Sequence, residues 1–106
     1  MTTANLQPHF HQEMLRIYDE ASTFGYRPTY FRRMVNDHGG VQAARILLGK
    51  DAPSYGFEKL WEERRLDLSV EALVLREPWR ALFTLDELRE AYRRLDGSDY
   101  DPGEPP

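Results

Sequence analysis

The stretch Phe83-Thr84-Leu85-Asp86-Glu87-Leu88-Arg89-Glu90-Ala91-Tyr92-Arg93-Arg94-Leu95-Asp96-Gly97 decides the fold. Thr84 and Glu87 have the spacing of a capping box, in which two side chains satisfy each other's free backbone N–H groups, and Phe83 and Leu88 occupy the two positions of its hydrophobic staple. Asp86 and Glu87 suit the positive end of a helix, Arg93 and Arg94 suit the negative end, and Gly97 lies where a left-handed closing residue belongs. The spacing therefore predicts a helix over 85–95 with a buried stripe of Leu85, Leu88, Tyr92 and Leu95.

Outward from this segment the same three-to-four-residue rhythm recurs, and nowhere does the strict alternation of a half-buried strand appear. Phe10, Met14, Ile17, Ala21 and Phe24 follow Pro8 and predict a helix over 8–24 closed by Gly25. Pro28 or Thr29 opens a second helix burying Phe31, Met34 and Val35, which Gly39-Gly40 interrupts. Val41, Ala44, Leu47 and Leu48 mark a third helix ending at Gly49, and Phe57, Leu60 and Trp61 a fourth that runs out near Arg65. Ser69, stapled by Leu68 and Leu73, caps a fifth over 70–76, and Trp79, Leu82 and Phe83 form a short apolar turn beyond Pro78.

The expected architecture is all-α, a compact orthogonal array of five or six short helices over 8–95, after a flexible stretch 1–7 and before a disordered acidic segment 96–106. With 106 residues there is room for one hydrophobic core. Its expected members are Phe10, Met14, Ile17, Phe31, Met34, Val41, Leu47, Phe57, Leu60, Trp61, Leu73, Phe83, Leu88 and Leu95. The absence of cysteine removes disulfides and thiolate metal sites, so packing alone must hold this core. The N-terminal residues lack the charge cluster and apolar run of a secretory signal, and no apolar stretch nears the roughly 20 residues a membrane span needs. The chain is thus read as cytoplasmic.

The residues exclude most chemistry by spacing. His9 and His11 flank Phe10 two apart, so in a helix they diverge and read as solvent-facing; no metal site is expected there, and no cofactor. His38 reads as a helix-end residue. Glu58 and Glu62 share a face with Lys59, Arg64 and Arg65 interleaved, the pattern of a solvated salt-bridge surface. Ser54 stands in no nucleophile motif, Ser69 and Thr84 are caps, and Asp99-Tyr100-Asp101-Pro102-Gly103 is only a fragment of a calcium loop. No catalytic residue is assigned, and the chain is read as a non-enzyme.

Charge placement leaves two binding readings. Net charge is −4, yet Arg27, Arg32, Arg33, Arg45 and Lys50 face only Asp37 within residues 27–50. Tyr26, Tyr30 and Phe31 lie in the same segment, so Arg27, Tyr30, Arg32, Arg33 and Arg45 form a candidate nucleic-acid surface. The surplus of large amphipathic side chains, Tyr18, Tyr26, Tyr30, Tyr55, Trp61, Trp79 and Tyr92, favours a binding or adaptor module that recognises another protein.

Gly25-Tyr26-Arg27-Pro28-Thr29-Tyr30-Phe31, Met34-Val35-Asn36-Asp37-His38-Gly39-Gly40-Val41, Gly56-Phe57 with Leu60-Trp61-Glu62, Arg65 through Leu75, and Leu82-Phe83-Thr84 together resemble a small helical domain recurrent in bacterial proteins. The resemblance spans about two-thirds of the chain. It implies a helical module, alone or attached to larger proteins, with an association to DNA processing or defence; it carries over no catalytic or ligand residue.

Overall fold

The capping box forms as its spacing predicts. In a computed structural model, which describes residues 3–25, 29–51, 53 and 55–106, the Glu87 N–H donates to Thr84 Oγ1 at 3.2 Å. The Thr84 N–H in turn donates to Glu87 Oε1 at 2.8 Å. The described residues form six α-helices and no strand: α1 (Thr3–Ser22), α2 (Thr29–His38), α3 (Gly40–Leu48), α4 (Tyr55–Glu62), α5 (Val70–Val74) and α6 (Leu85–Leu95). Two 3-10 turns, Leu66–Leu68 and Trp79–Leu82, lead into α5 and α6. The second capped start also forms, with the Ala72 N–H donating to Ser69 Oγ while both staple residues, Leu68 and Leu73, are buried. The radius of gyration, 12.8 Å, is that of a folded domain of this length, for which about 13 Å is usual.

One core runs through the molecule. Phe10 is its centre, with the rings of Phe83 and Trp79 edge-on to it at 5.3 and 5.8 Å. Met14, Ile17, Met34, Val35, Phe57, Leu60, Leu66, Leu73, Leu88 and Leu95 pack around it, and Phe31, Val41 and Leu47 are half-buried against its edge.

Apart from helix ends that fall two or three residues early in α1, α4 and α5, the observed elements depart from expectation at four places. Helix α1 begins at Thr3 and not at Pro8, because Leu6 continues the buried stripe Phe10, Met14, Ile17, Ala21 by one turn. Pro8 sits on the exposed side, where its missing N–H costs one intrahelical bond near the helix start. Trp61 is 41% exposed, since Phe57 and Leu60 take the inner side of α4 and Trp61 only turns its edge to Phe57. Leu85, first residue of α6, is 49% exposed; the inward stripe is Leu88, Ala91 and Leu95, and Arg94 shares it.

The 96–106 segment is the fourth. It is ordered where composition suggested disorder: Gly97 takes φ +90°, Ser98 Oγ donates to the Leu95 carbonyl at 2.6 Å, and the Tyr100 N–H donates to Ser98 Oγ at 3.1 Å. Tyr100 then packs against the core. A single aromatic, delivered by a left-handed glycine, anchors a stretch whose acids and prolines dominate its composition.

Two polar contacts lock the helices that flank α2. The first joins α1 to α3. The Gly40 N–H, one of the free donors at the start of α3, donates to His11 Nδ1 at 3.0 Å, so His11 caps α3 and does not simply face solvent. A Cβ at Gly40 would stand 2.7 Å from His11 Cα, and Gly39 holds φ +83°. The paired glycines therefore serve different needs, one a close helix approach and the other a left-handed turn.

The second lock is Arg94, whose side chain is 1% exposed. Its five N–H donors have five acceptors: Glu90 Oε2 at 2.7 Å, Glu71 Oε2 at 3.0 Å, and the carbonyls of Leu47, Leu48 and Lys50 at 3.1, 3.2 and 2.6 Å. The guanidinium thus closes the negative end of α3 while neutralising the buried carboxylate of Glu71 on α5. Among the described residues no buried side-chain nitrogen or oxygen lacks a partner. The bond to the Lys50 carbonyl also fixes the backbone from which the Lys50 side chain extends.

Candidate recognition face

Helix α2 divides cleanly around its axis. At about 100° per residue, Phe31, Met34, Val35 and His38 fall on one half, and Thr29, Tyr30, Arg32, Arg33, Asn36 and Asp37 on the other. Met34 and Val35 are buried and Phe31 is half-buried, so the apolar residues face the core, while His38 at the helix end and the polar half are exposed.

Neighbouring elements complete this face. From α1, Tyr18 lies under Arg32, with the guanidinium carbon 5.3 Å from the ring centre. From beyond α3, Lys50 Nζ lies 5.5 Å from the centre of the Tyr30 ring. Tyr30 is 63% exposed. Arg33 falls between the two cation–aromatic pairs on the helix circumference, giving a band that runs Tyr18, Arg32, Arg33, Tyr30 and Lys50, with Asp37 falling between Arg33 and Tyr30. A shallow depression of about 320 Å³ lies on it, lined by Tyr18, Thr29, Arg32, Arg33, Asn36 and Asp37.

The electrostatics of the band are simple. Neither Arg32, Arg33 nor Lys50 forms an ion pair among the described residues, although Asp37 lies on the same face. Three cations therefore meet solvent without an ion pair among the described residues, with Asp37 on the α2 face and the exposed Asp51 next to Lys50 in the chain. Groups of three or more His, Asp or Glu side chains placed to hold a metal ion are absent among the described residues.

The sequence-predicted residues are not all brought together. Tyr30, Arg32 and Arg33 share the α2 face. Arg27 lies outside the described residues, as do Tyr26 and Ser54. Arg45 points elsewhere: its Nη2 donates to the Leu82 carbonyl at 2.9 Å and its Nε stands 3.4 Å from Glu87 Oε2, so it clamps α3 to the capped start of α6. Reading the sequence missed Tyr18, Asn36 and Lys50 as members of the face. A signal for Tyr18 existed, because Tyr18 and Arg32 lie at similar distances from the short connection between α1 and α2, and such residues meet across a helical hairpin.

The acidic surfaces behave differently. Lys59 pairs with Glu63 at 3.6 Å, while Glu58 and Glu62 are exposed. Asp101 Oδ1 accepts the Gly103 N–H at 2.9 Å, a local turn and not a cation loop. On α6, hydrogen bonds from Arg93 and then Arg94 hold the Glu90 carboxyl below the usual glutamate range. Compared with protein-family models, with curated proteins and with solved structures, the chain matches none, so its functional reading rests on its own residues and their geometry.

Proposed function

We propose that this chain is a non-enzymatic recognition module that binds another protein through the exposed half of α2. One observation carries the reading: Tyr30, Arg32 and Arg33 stand exposed on a single helical face, and neither arginine has an ion partner among the described residues. Tyrosine and arginine are among the side chains that most often anchor protein interfaces, since each offers a large flat surface with polar atoms at its end. A helix held rigidly by its buried half is a suitable platform, because little ordering is left for the moment of binding.

Nucleic acid is the second reading, favoured by the two cation–aromatic pairs and by the bacterial domain the sequence resembles, with its association to DNA processing or defence. It is the weaker because Arg45 is engaged with Leu82 and Glu87, leaving three cations on the face among the described residues of an acidic chain. Three phosphate contacts supply a salt dependence of only about the third power. A cytoplasmic setting belongs to the same proposal; among the described residues no helix is long and apolar enough to cross a membrane.

Affinity purification from the native host with the parent chain and with Arg32→Glu/Arg33→Glu tests the reading. A defined protein recovered in stoichiometric amount by the parent and lost by the variant is expected. Equal recovery by both, or recovery of nucleic acid alone, contradicts it.

A further inference from the structure

We infer that the segment seated on α2 is short and acidic, an extended stretch of about five residues carrying two or more carboxylates. This rests on the protein-recognition reading and specifies its partner.

Charge complementarity gives the sign. Among the described residues no carboxylate lies within ion-pair distance of Arg32, Arg33 or Lys50, and these three cations outnumber the adjacent Asp37 and Asp51. Guanidinium groups present their donors as a planar fork matched to a carboxylate, and Arg32 is already oriented by the Tyr18 ring beneath it. The exposed ring of Tyr30, with Lys50 over it, offers an apolar surface between the charges for the aliphatic part of a glutamate or a neighbouring leucine.

The length follows from the platform. Ten helical residues span about 15 Å, which an extended chain covers in four or five residues. Shortness is also what the rest of the surface demands. The chain carries −4 overall, and a long polyanion running beyond the face would meet that charge, whereas a segment confined to α2 stays within about one Debye length, roughly 8–10 Å, of the cations.

The test is an NMR titration of the isotope-labelled full chain with capped peptides, Gly-Glu-Leu-Glu-Glu-Gly against its glutamine and lysine counterparts, and with a short oligothymidylate. The acidic peptide alone is expected to shift the backbone amides of residues 29–37 and of Lys50, with apparent affinity falling several-fold on raising salt from 50 to 500 mM. Arg32→Ala/Arg33→Ala should abolish the shifts while leaving the rest of the spectrum intact, and Arg32→Lys/Arg33→Lys should recover only part of the affinity. Equal shifts from the glutamine peptide overturn the acidic inference and leave protein recognition by α2 standing. Shifts centred on another face, or none on α2 from any peptide, overturn the inference and leave the purification test to decide the broader reading. Tighter binding of the oligothymidylate overturns both. Shifts of residues 29–37 that grow with protein concentration alone, without peptide, make a second copy of the chain the occupant and overturn a separate partner.

Discussion

Two sets of arginines on this small chain have opposite fates. Arg94 is enclosed between α3, α5 and α6 with every donor occupied, while Arg32 and Arg33 lie on the outside of α2 with no carboxylate partner among the described residues. In sequence they look alike, adjacent pairs of arginines on amphipathic helices. The difference teaches that a cation's meaning is set by whether its helix turns it toward carbonyls that need a donor or toward water. Arg45 and His11 belong with Arg94, because both are spent on the start of a helix. What the fold does not consume is left for a partner.

The sharpest way to break this comparison is Arg94→Met. Removing the guanidinium strands the buried Glu71 carboxylate and three carbonyls, and the loss of one partner from a buried pair costs about 3–5 kcal/mol. Urea denaturation should show a loss of that size or an unfolded chain, and Arg94→Lys should not restore it, since an ammonium has three donors where five are used. A loss under 1 kcal/mol would mean that Arg94 is no more structural than the α2 pair.

Gly40→Ala probes the other consumed contact. The new methyl meets backbone, so no side-chain rotation relieves it, and destabilisation of about 1–3 kcal/mol is expected by thermal or urea unfolding. Gly39→Ala next to it isolates the left-handed turn, because nothing lies within 4 Å of a Cβ there.

A smaller effect comes from Glu90, which shares itself between Arg93 and Arg94. Its carboxyl is held below the ordinary range in the folded state, so between that value and the unfolded value near 4.3 the unfolded chain binds more protons. The stabilisation is full above the unfolded value and disappears as pH falls through the folded one. Glu90→Gln should flatten the acid limb of the stability profile and cost about 1–2 kcal/mol at neutral pH, since the exposed Arg93 contributes little and the buried Arg94 keeps Glu71 as a counter-charge.

How much of this was legible in the sequence depended on the range of the interactions. Local signals succeeded: Thr84 with Glu87, Ser69 with its staple, and the glycines after α1 and α2 all act within one turn. Medium-range burial was legible where a stripe was long, as from Phe10 to Ala21, and failed by one turn at its start, where Leu6 outweighed Pro8. Contacts across the chain were not legible. Nothing near Arg94 announces that it will reach the end of α3 more than forty residues away, and nothing near His11 points to Gly40. Tyr30, Arg32 and Arg33 were readable as a surface because they share one helix, whereas Tyr18 and Lys50 joined it only through tertiary packing.

The most direct measurement is the urea midpoint of Arg32→Ala/Arg33→Ala beside that of the parent. If these arginines are left over by the fold, the double variant keeps the parent's transition slope and loses at most about 1 kcal/mol, the worth of one exposed cation–aromatic pair between Arg32 and Tyr18. A loss of 2 kcal/mol or more, or a changed slope, would show that the fold consumes them too, and the exposed half of α2 would no longer stand apart as a place for a partner.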